Sequence, residues 1–221
     1  MRNVKRNKIL VGIVAAVLCL FGGFSIYAGR EGAEHEGAGR KVLTDSERIE
    51  RNRQIAEEYY KAYDKKAVKD GGSYSTWVFA DGATYWSPYF GMKEVDISTN
   101  PISVEDSATF EALSYSIEFP DWGPVGFDVY PSVDGVAWKT HFAGHHKESG
   151  KYMDFFAYSY ADTNENGEIT HWETHVNSDY NDFLDMAIGI HGPFKDGSGP
   201  YMQAVNAKLK EAGIDTGKLR H

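Results

Sequence analysis

The sequence contains very little cysteine: one residue among 221, Cys19, inside an apolar run near the N-terminus. No cysteine follows residue 29, so disulfide bonds and thiol chemistry are excluded for the rest of the chain. Residues 1–29 also lack acidic side chains, whereas the remainder carries 19 basic and 32 acidic ones, a formal charge of −13. This balance argues against nucleic acid or an anionic membrane surface as the partner of the main domain.

The first 29 residues predict a leader. Residues 1–8 are basic, and a continuous apolar run follows at residues 9–28. This is the pattern of either a secretory signal peptide or an N-terminal membrane anchor, and the residues leave both open. The positive flank places the N-terminus in the cytoplasm and the rest outside. We therefore expect an exported, periplasmic or extracellular protein that touches a membrane only through residues 9–28, if these are retained.

The order of the remaining patterns predicts an α+β domain over residues 44–190 with an antiparallel sheet. Residues 30–43 precede it as a flexible linker rich in Gly, Ala and charge. Thr44 and Glu47 have the capping-box spacing that begins a helix. A short strand around Ala83–Trp86, a second helix, four further strands and a helix that ends near Gly189 follow. Residues 191–221 are expected to form a loop and a peripheral helix.

The stretch 136–177 predicts three consecutive antiparallel strands, because aromatic and β-branched residues alternate with small or polar ones between short turns. The turns predict the cross-strand pairs Phe142–Phe156, Trp138–Tyr160 and Trp172–Tyr158. In that register the large aromatic residues share one face. The other face becomes a polar pocket floor formed by His141, His145, His171, Glu173 and His175. A slip of one residue would exchange the faces of a strand.

A series of short motifs occurs in a fixed order: Phe119–Asp121, Gly144 with His146, Gly150 with Lys151, Asn166–Ile169, His171–Glu173 and Gly189. With the leading helix, this series resembles the SnoaL-like polyketide cyclase branch of the nuclear-transport-factor-like superfamily. The resemblance covers roughly residues 44–190. It implies a curved antiparallel sheet wrapped round N-terminal helices, which makes a cone with an apolar internal pocket and often a homodimer. In those cyclases a carboxylate just after the His-Trp pair is the general acid/base, and Glu173 occupies that position here in place of Asp.

The predicted function is therefore binding of a small apolar molecule, with cofactor-free isomerisation, cyclisation or dehydration of a carbonyl compound. Glu173 would be the base, because burial raises a carboxyl pKa and nearby imidazolium groups lower it. His171, His175 and His141 would tune that pKa or donate hydrogen bonds. The substrate would contact Tyr59, Tyr85, Trp86 and His145. An alternative is a ligand-binding or accessory domain without chemistry, because fold does not fix function.

A calcium-binding loop is a second alternative. Asp162, Asn164, Asn166, Glu168 and Glu173 lie within a stretch that matches the EF-hand spacing. The same Asn-Gly pair also suits a hairpin turn. The two hypotheses exclude each other, since Glu173 would be either a strand residue in a pocket or a calcium ligand entering a helix. A transition-metal site on the His-x-Glu-x-His strand is less favoured, because alternate strand residues lie about 6.6 Å apart.

Overall fold

The computed structural model describes residues 42–63, 75–87, 93–97, 104–191 and 199–215, so the predicted leader and residues 30–41 of the linker lie outside the described residues. The helices are α1 (Asp45–Ala62), α2 (Val104–Glu118), α3 (Asp179–Ile188) and α4 (Gly199–Glu211). The strands are β1 (Phe79–Ser87), β2 (Lys93–Asp96), β3 (Gly123–Pro131), β4 (Gly135–His145), β5 (Tyr152–Thr163) and β6 (Ile169–Val176). A search of these residues for a helix long and apolar enough to cross a membrane finds none.

The predicted α+β class is confirmed. Six strands form one curved sheet in the order β2-β1-β6-β5-β4-β3. All neighbouring strands are antiparallel except β1 and β6, which pair in parallel. The helices pack on one face of this sheet, and the buried apolar residues of both layers form one core.

The capping box predicted for α1 is present. The Glu47 carboxylate accepts a hydrogen bond from the Thr44 backbone N–H at 2.8 Å, and the Glu47 N–H donates to Thr44 Oγ1 at 3.3 Å. The helix then buries Ile55, Ala56 and Tyr59 against the sheet, as their helical spacing predicts. This geometry fixes the direction in which α1 presents its aromatic side chains.

The predicted register between β4 and β5 is wrong by one residue. Phe142 lies opposite Phe155, and Trp138 lies opposite Ser159. His146 belongs to the turn, where its backbone N–H donates to the Lys151 carbonyl, so the first strand pair is His145 with Tyr152. Because the pairing is shifted by one residue, the β5 side chains predicted for one face of the sheet lie on the other.

The register between β5 and β6 also differs from the prediction. Ala161 lies opposite Trp172, and an irregularity occurs between Asp162 and Thr163. The irregularity lets Ile169 and Trp172 both point into the core although they are three residues apart, and both are fully buried. Trp138, Phe142 and Trp172 do share a face, as predicted, but Phe156 and Tyr158 lie on the opposite one.

The C-terminal helix α4 is part of the core, so the expectation of a peripheral helix is wrong. Tyr201, Val205 and Leu209 are fully buried. Their spacing of four residues places them on one face of the helix, which packs against α2. This contact brings the Tyr201 hydroxyl to the site described below.

Candidate functional site

A cavity lies between the helices and the inner face of the sheet. Its volume is about 40 Å³. At roughly 10–15 Å³ of such space for each water, it would hold about three water molecules. Nine of the seventeen described lining residues are aromatic: Tyr59, Tyr63, Trp77, Tyr85, Tyr115, Trp122, Phe142, Phe155 and Tyr180. The wall is thus largely apolar, with hydroxyl groups at its edges.

Glu111 is the one carboxylate among the described lining residues. It projects from α2, and two tyrosine hydroxyls from other helices hold it. Tyr63, directly after α1, donates to Oε2 at 2.7 Å, and Tyr201 on α4 donates to Oε1 at 2.7 Å. The Tyr201 hydroxyl also hydrogen-bonds with that of Tyr115, which in turn lies 2.9 Å from the Tyr180 hydroxyl. Three helices and the residue that follows α1 therefore supply one connected polar network.

Burial raises the pKa of Glu111 to about 7, while the hydrogen bonds from Tyr201 and Tyr63 partly oppose this shift. The side chain is partly exposed to the cavity, but protein surrounds it closely enough to remove most of its hydration. Burial also raises the pKa of Tyr63, Tyr115 and Tyr201 above the ordinary tyrosine range. Near neutral pH the network therefore contains neutral hydroxyls around one carboxyl group that can gain or lose a proton.

The cavity wall also contains a polar atom without a partner. Trp122 is 2% exposed, and its indole Nε1 has no hydrogen-bond partner among the described residues. Its ring packs against Tyr63 and Tyr115, with centroids 5.8 and 5.1 Å apart, so it lies beside the tyrosines that surround Glu111. Buried N–H groups are normally satisfied. An acceptor atom of a bound molecule would satisfy this one.

Glu173 does not line the cavity. It lies on β6 opposite Tyr160, on the outer face of the sheet, so the predicted polar pocket floor is wrong. The reason is that the helices cover the face of β6 that carries Trp172, so Thr174 and Val176 point inward instead. His171 Nε2 lies 3.1 Å and His175 Nε2 2.7 Å from the two Glu173 oxygens. A hydrogen bond from Tyr160, together with those from the two histidines, lowers the pKa of Glu173 to about 2.

The other predicted polar residues also lie on the outer face. His141 Nε2 is 2.7 Å from Asp154, and His145 Nδ1 is 2.7 Å from Asp121. The Trp86 ring stacks on His175 with centroids 4.5 Å apart, so it is not a cavity wall. Tyr59 and Tyr85, by contrast, do line the cavity, as predicted. The described residues contain no group of three or more potential ligands arranged to hold a metal ion.

The EF-hand arrangement is not formed. The segment between Thr163 and Ile169 is a hairpin turn joining β5 to β6, and Glu173 lies inside β6 rather than at the start of a helix. Asn164 Oδ1 accepts hydrogen bonds from the backbone N–H groups of Asn166 and Glu168, at 3.0 Å each. These bonds close the turn, and Gly167 of the Asn-Gly pair supplies the positive φ of 73° that the turn requires.

Sequence reasoning missed the central residue, Glu111, although a signal was present. Val104, Ala108, Glu111 and Tyr115 are spaced by four, three and four residues and so share one helix face. A carboxylate within an otherwise apolar helix face is unusual. The contribution of Tyr201 from α4, 90 residues away, left no local signal.

Comparison with solved structures finds related folds at low identity. A protein described as a SnoaL-like polyketide cyclase from Jannaschia is 14% identical, with a TM-score of 0.40, over 68% of this chain and 97% of that one. A ketosteroid isomerase-like protein from Catenulispora acidiphila is 13% identical, with a TM-score of 0.40, over 61% and 92%. A protein described as a polyketide cyclase from Streptomyces antibioticus is 14% identical, with a TM-score of 0.38, over 56% and 90%.

No protein-family model and no curated protein sequence matches this chain. One of the matched structures is described as SnoaL-like, the family whose motifs this sequence resembles. Similarities of this strength assign no activity, substrate or residue role.

Proposed function

We propose that this domain binds a small, largely apolar molecule in the cavity, with the polar end of that molecule at Glu111 and Trp122. The observation that supports this proposal is an aromatic-lined cavity whose single described carboxylate is fixed by the Tyr63 and Tyr201 hydroxyls. Ligand sites are typically apolar hollows with a few polar groups that set orientation. A volume of about 40 Å³ suits a compact molecule or the end of a longer one.

Glu111 is the group we assign to proton transfer. A carboxyl group with a pKa of about 7 is present in both protonation states at neutral pH, which suits general acid/base catalysis. In the ionised state each oxygen accepts one tyrosine hydrogen bond and keeps a further lone pair. That lone pair can accept a proton from a carbon next to a ligand carbonyl.

The proposed step is the proton abstraction expected from the sequence, moved from Glu173 to Glu111. The carboxylate takes the proton, and the electron pair of the broken C–H bond moves onto the carbonyl oxygen as an enolate. The Trp122 N–H, which has no described acceptor, would donate a hydrogen bond to that oxygen. Where the ligand carries a C=C bond beside that carbon, the product is a dienolate, and return of the proton to its far carbon would give isomerisation with no cofactor in the balance.

This proposal can be tested without knowing the natural substrate. Exchange of the α-protons of cyclohexanone in D₂O, followed by proton NMR, measures general-base activity directly. We expect the wild-type protein to accelerate exchange and Glu111→Gln to reduce the protein-dependent rate by about 100-fold, a usual contribution of a positioned base. The matched control is Glu57→Gln, because Glu57 lies on α1 and does not line the cavity.

The outcomes separate the two candidate functions. Binding of cyclohexanone without accelerated exchange would support the ligand-binding alternative and reject catalysis at Glu111. An exchange rate that falls in Glu173→Gln but not in Glu111→Gln would identify Glu173, on the outer face of the sheet, as the base instead of Glu111.

Export remains a further proposal, supported by the basic and apolar pattern of residues 1–28. Fractionation of cells that express the full chain would test it. Recovery in the cytoplasmic fraction would contradict export, whereas recovery in the membrane fraction would favour an anchor over a cleaved signal peptide.

A further inference from the structure

The described residues supply no counter-charge to the cavity. Glu111 is its single described carboxylate, and the described lining residues include no lysine, arginine or histidine. Among the described residues, the groups that hydrogen-bond to the Glu111 carboxylate are the hydroxyls of Tyr63 and Tyr201, and neither is a cation. Buried carboxylates are normally paired with a positive group, because an unpaired buried charge is unfavourable. This site leaves that position open.

The rest of the wall is suited to a cation. Tyr59, Tyr63, Trp77, Tyr85 and Trp122 place aromatic rings around the cavity. The face of an aromatic ring carries negative potential and attracts ammonium groups, most strongly where water is excluded. Aromatic walls with one carboxylate form a recognised arrangement for alkylammonium ions, whose methyl groups need no hydrogen-bond acceptors. The net charge of −13 on residues 30–221 would also favour the approach of a cation.

We propose that the ligand of this cavity is a small alkylammonium cation, held by Glu111 and the surrounding aromatic rings. This inference rests on the proposed function, since it specifies the chemical class of the molecule that enters the same cavity. The volume of about 40 Å³ corresponds to roughly three waters, close to the size of a tetramethylammonium ion. A hydroxyl or carbonyl oxygen on the same ligand would meet the Trp122 N–H, which lacks a described acceptor.

The proposal predicts that binding is linked to proton release. Among the described residues, the titratable groups facing Glu111 are tyrosines: Tyr63 beside α1, Tyr115 on its own helix, Tyr180 on α3, Tyr201 on α4, and Tyr59 and Tyr85 farther away. Burial raises the pKa of each tyrosine, so all remain neutral between pH 5 and 9. Glu111 is then the group that titrates within the cavity, and a cation favours its ionised form.

The experiment compares two probes of similar size, tetramethylammonium chloride and tert-butyl alcohol, by isothermal titration calorimetry at constant ionic strength. At pH 8.5 we expect tetramethylammonium to bind at least about tenfold more tightly. At pH 5.5 its affinity should fall about 30-fold, because a group with a pKa of about 7 is then largely protonated. Titrations at pH 7 in buffers of different ionisation enthalpy should detect protons released on binding.

Glu111→Gln should remove the preference for the cation, so that the two probes bind with similar affinity, and Glu57→Gln should leave the preference as it is in the wild type. If Glu111→Gln does not fold, proton release by the wild-type protein still tests whether the cavity binds a cation. Equal affinity for both probes, or cation binding without proton release, would overturn the cationic ligand and leave the proposed function standing. Failure of both probes and of cyclohexanone to bind would overturn the proposed function as well.

Discussion

Two glutamates on opposite sides of the sheet lie in opposite environments. On the inner side, Glu111 reaches a water-poor cavity lined with aromatic rings, and burial raises its pKa to about 7. On the outer side, Glu173 lies between His171 and His175 beside Tyr160, and these hydrogen bonds lower its pKa to about 2. The same functional group is therefore poised for proton exchange on one face and fixed as an anion on the other.

The comparison also separates two kinds of aromatic residue. Trp172 is fully buried, and its ring lies within 6 Å of those of Tyr59, Trp77, Tyr85 and Trp138. Trp86 is half-buried on the outer face and stacks on the imidazole of His175. The inner aromatic residues are thus packed on all sides, whereas the outer ones cover the sheet from one side.

The largest expected change in stability tests this difference between the two faces of the sheet. Trp172→Ala should lower the free energy of unfolding by about 4 kcal/mol, because it leaves a cavity in the centre of the aromatic core. The matched variant on the outer face, Trp86→Ala, should cost about 1 kcal/mol, because solvent can occupy the vacated space. Urea unfolding followed by circular dichroism measures both. Equal losses would mean that the two faces are not packed differently.

The next effect follows from the raised pKa of Glu111. The folded protein retains this proton up to about pH 7, whereas the unfolded chain loses it near pH 4.5. Stability therefore falls as pH rises through this window, by at most about 3 kcal/mol. Glu111→Gln should be more stable than the wild type at pH 8 and similar to it at pH 4. Urea unfolding at both pH values provides the test, and a stability difference that does not change with pH would contradict the assignment.

The smallest expected change in stability comes from Glu173, and its dependence on pH is opposite to that of Glu111. The pKa of Glu173 is lowered in the folded state, so its contribution is present above about pH 4.5 and is lost as pH falls through about 2. Glu173→Gln should therefore destabilise the protein by about 1 kcal/mol at pH 6, after allowance for solvent screening at this partly exposed position. The loss should shrink at pH 3. A Glu173→Gln variant as stable as the wild type at pH 6 would indicate that the histidine contacts contribute nothing.

Much of the fold follows from local pattern. Thr44 and Glu47 begin α1 where their spacing predicts, and Gly189 ends α3 in the left-handed conformation at φ 69°. The three-strand meander was also predictable from its alternation of side chains. Its register was not, because placing His146 in a strand rather than in the turn shifts every pair of β4 and β5 by one residue. That shift reversed the faces of β5 but left His141 and Glu173 on one face, so the error in the candidate pocket floor was the choice of the face that the helices cover.

By itself, the sequence determined the α+β class, the positions of most helices and strands, and the aromatic residues Tyr59 and Tyr85 on the cavity wall. These features depend on side-chain periodicity within one segment. The tertiary structure alone decided which carboxylate faces the cavity, because that depends on which face of the sheet the helices cover and on contacts between distant helices. Tyr63, Glu111 and Tyr201 meet only after α1, α2 and α4 have packed together, and the desolvation that sets the pKa of Glu111 exists only in that packed state.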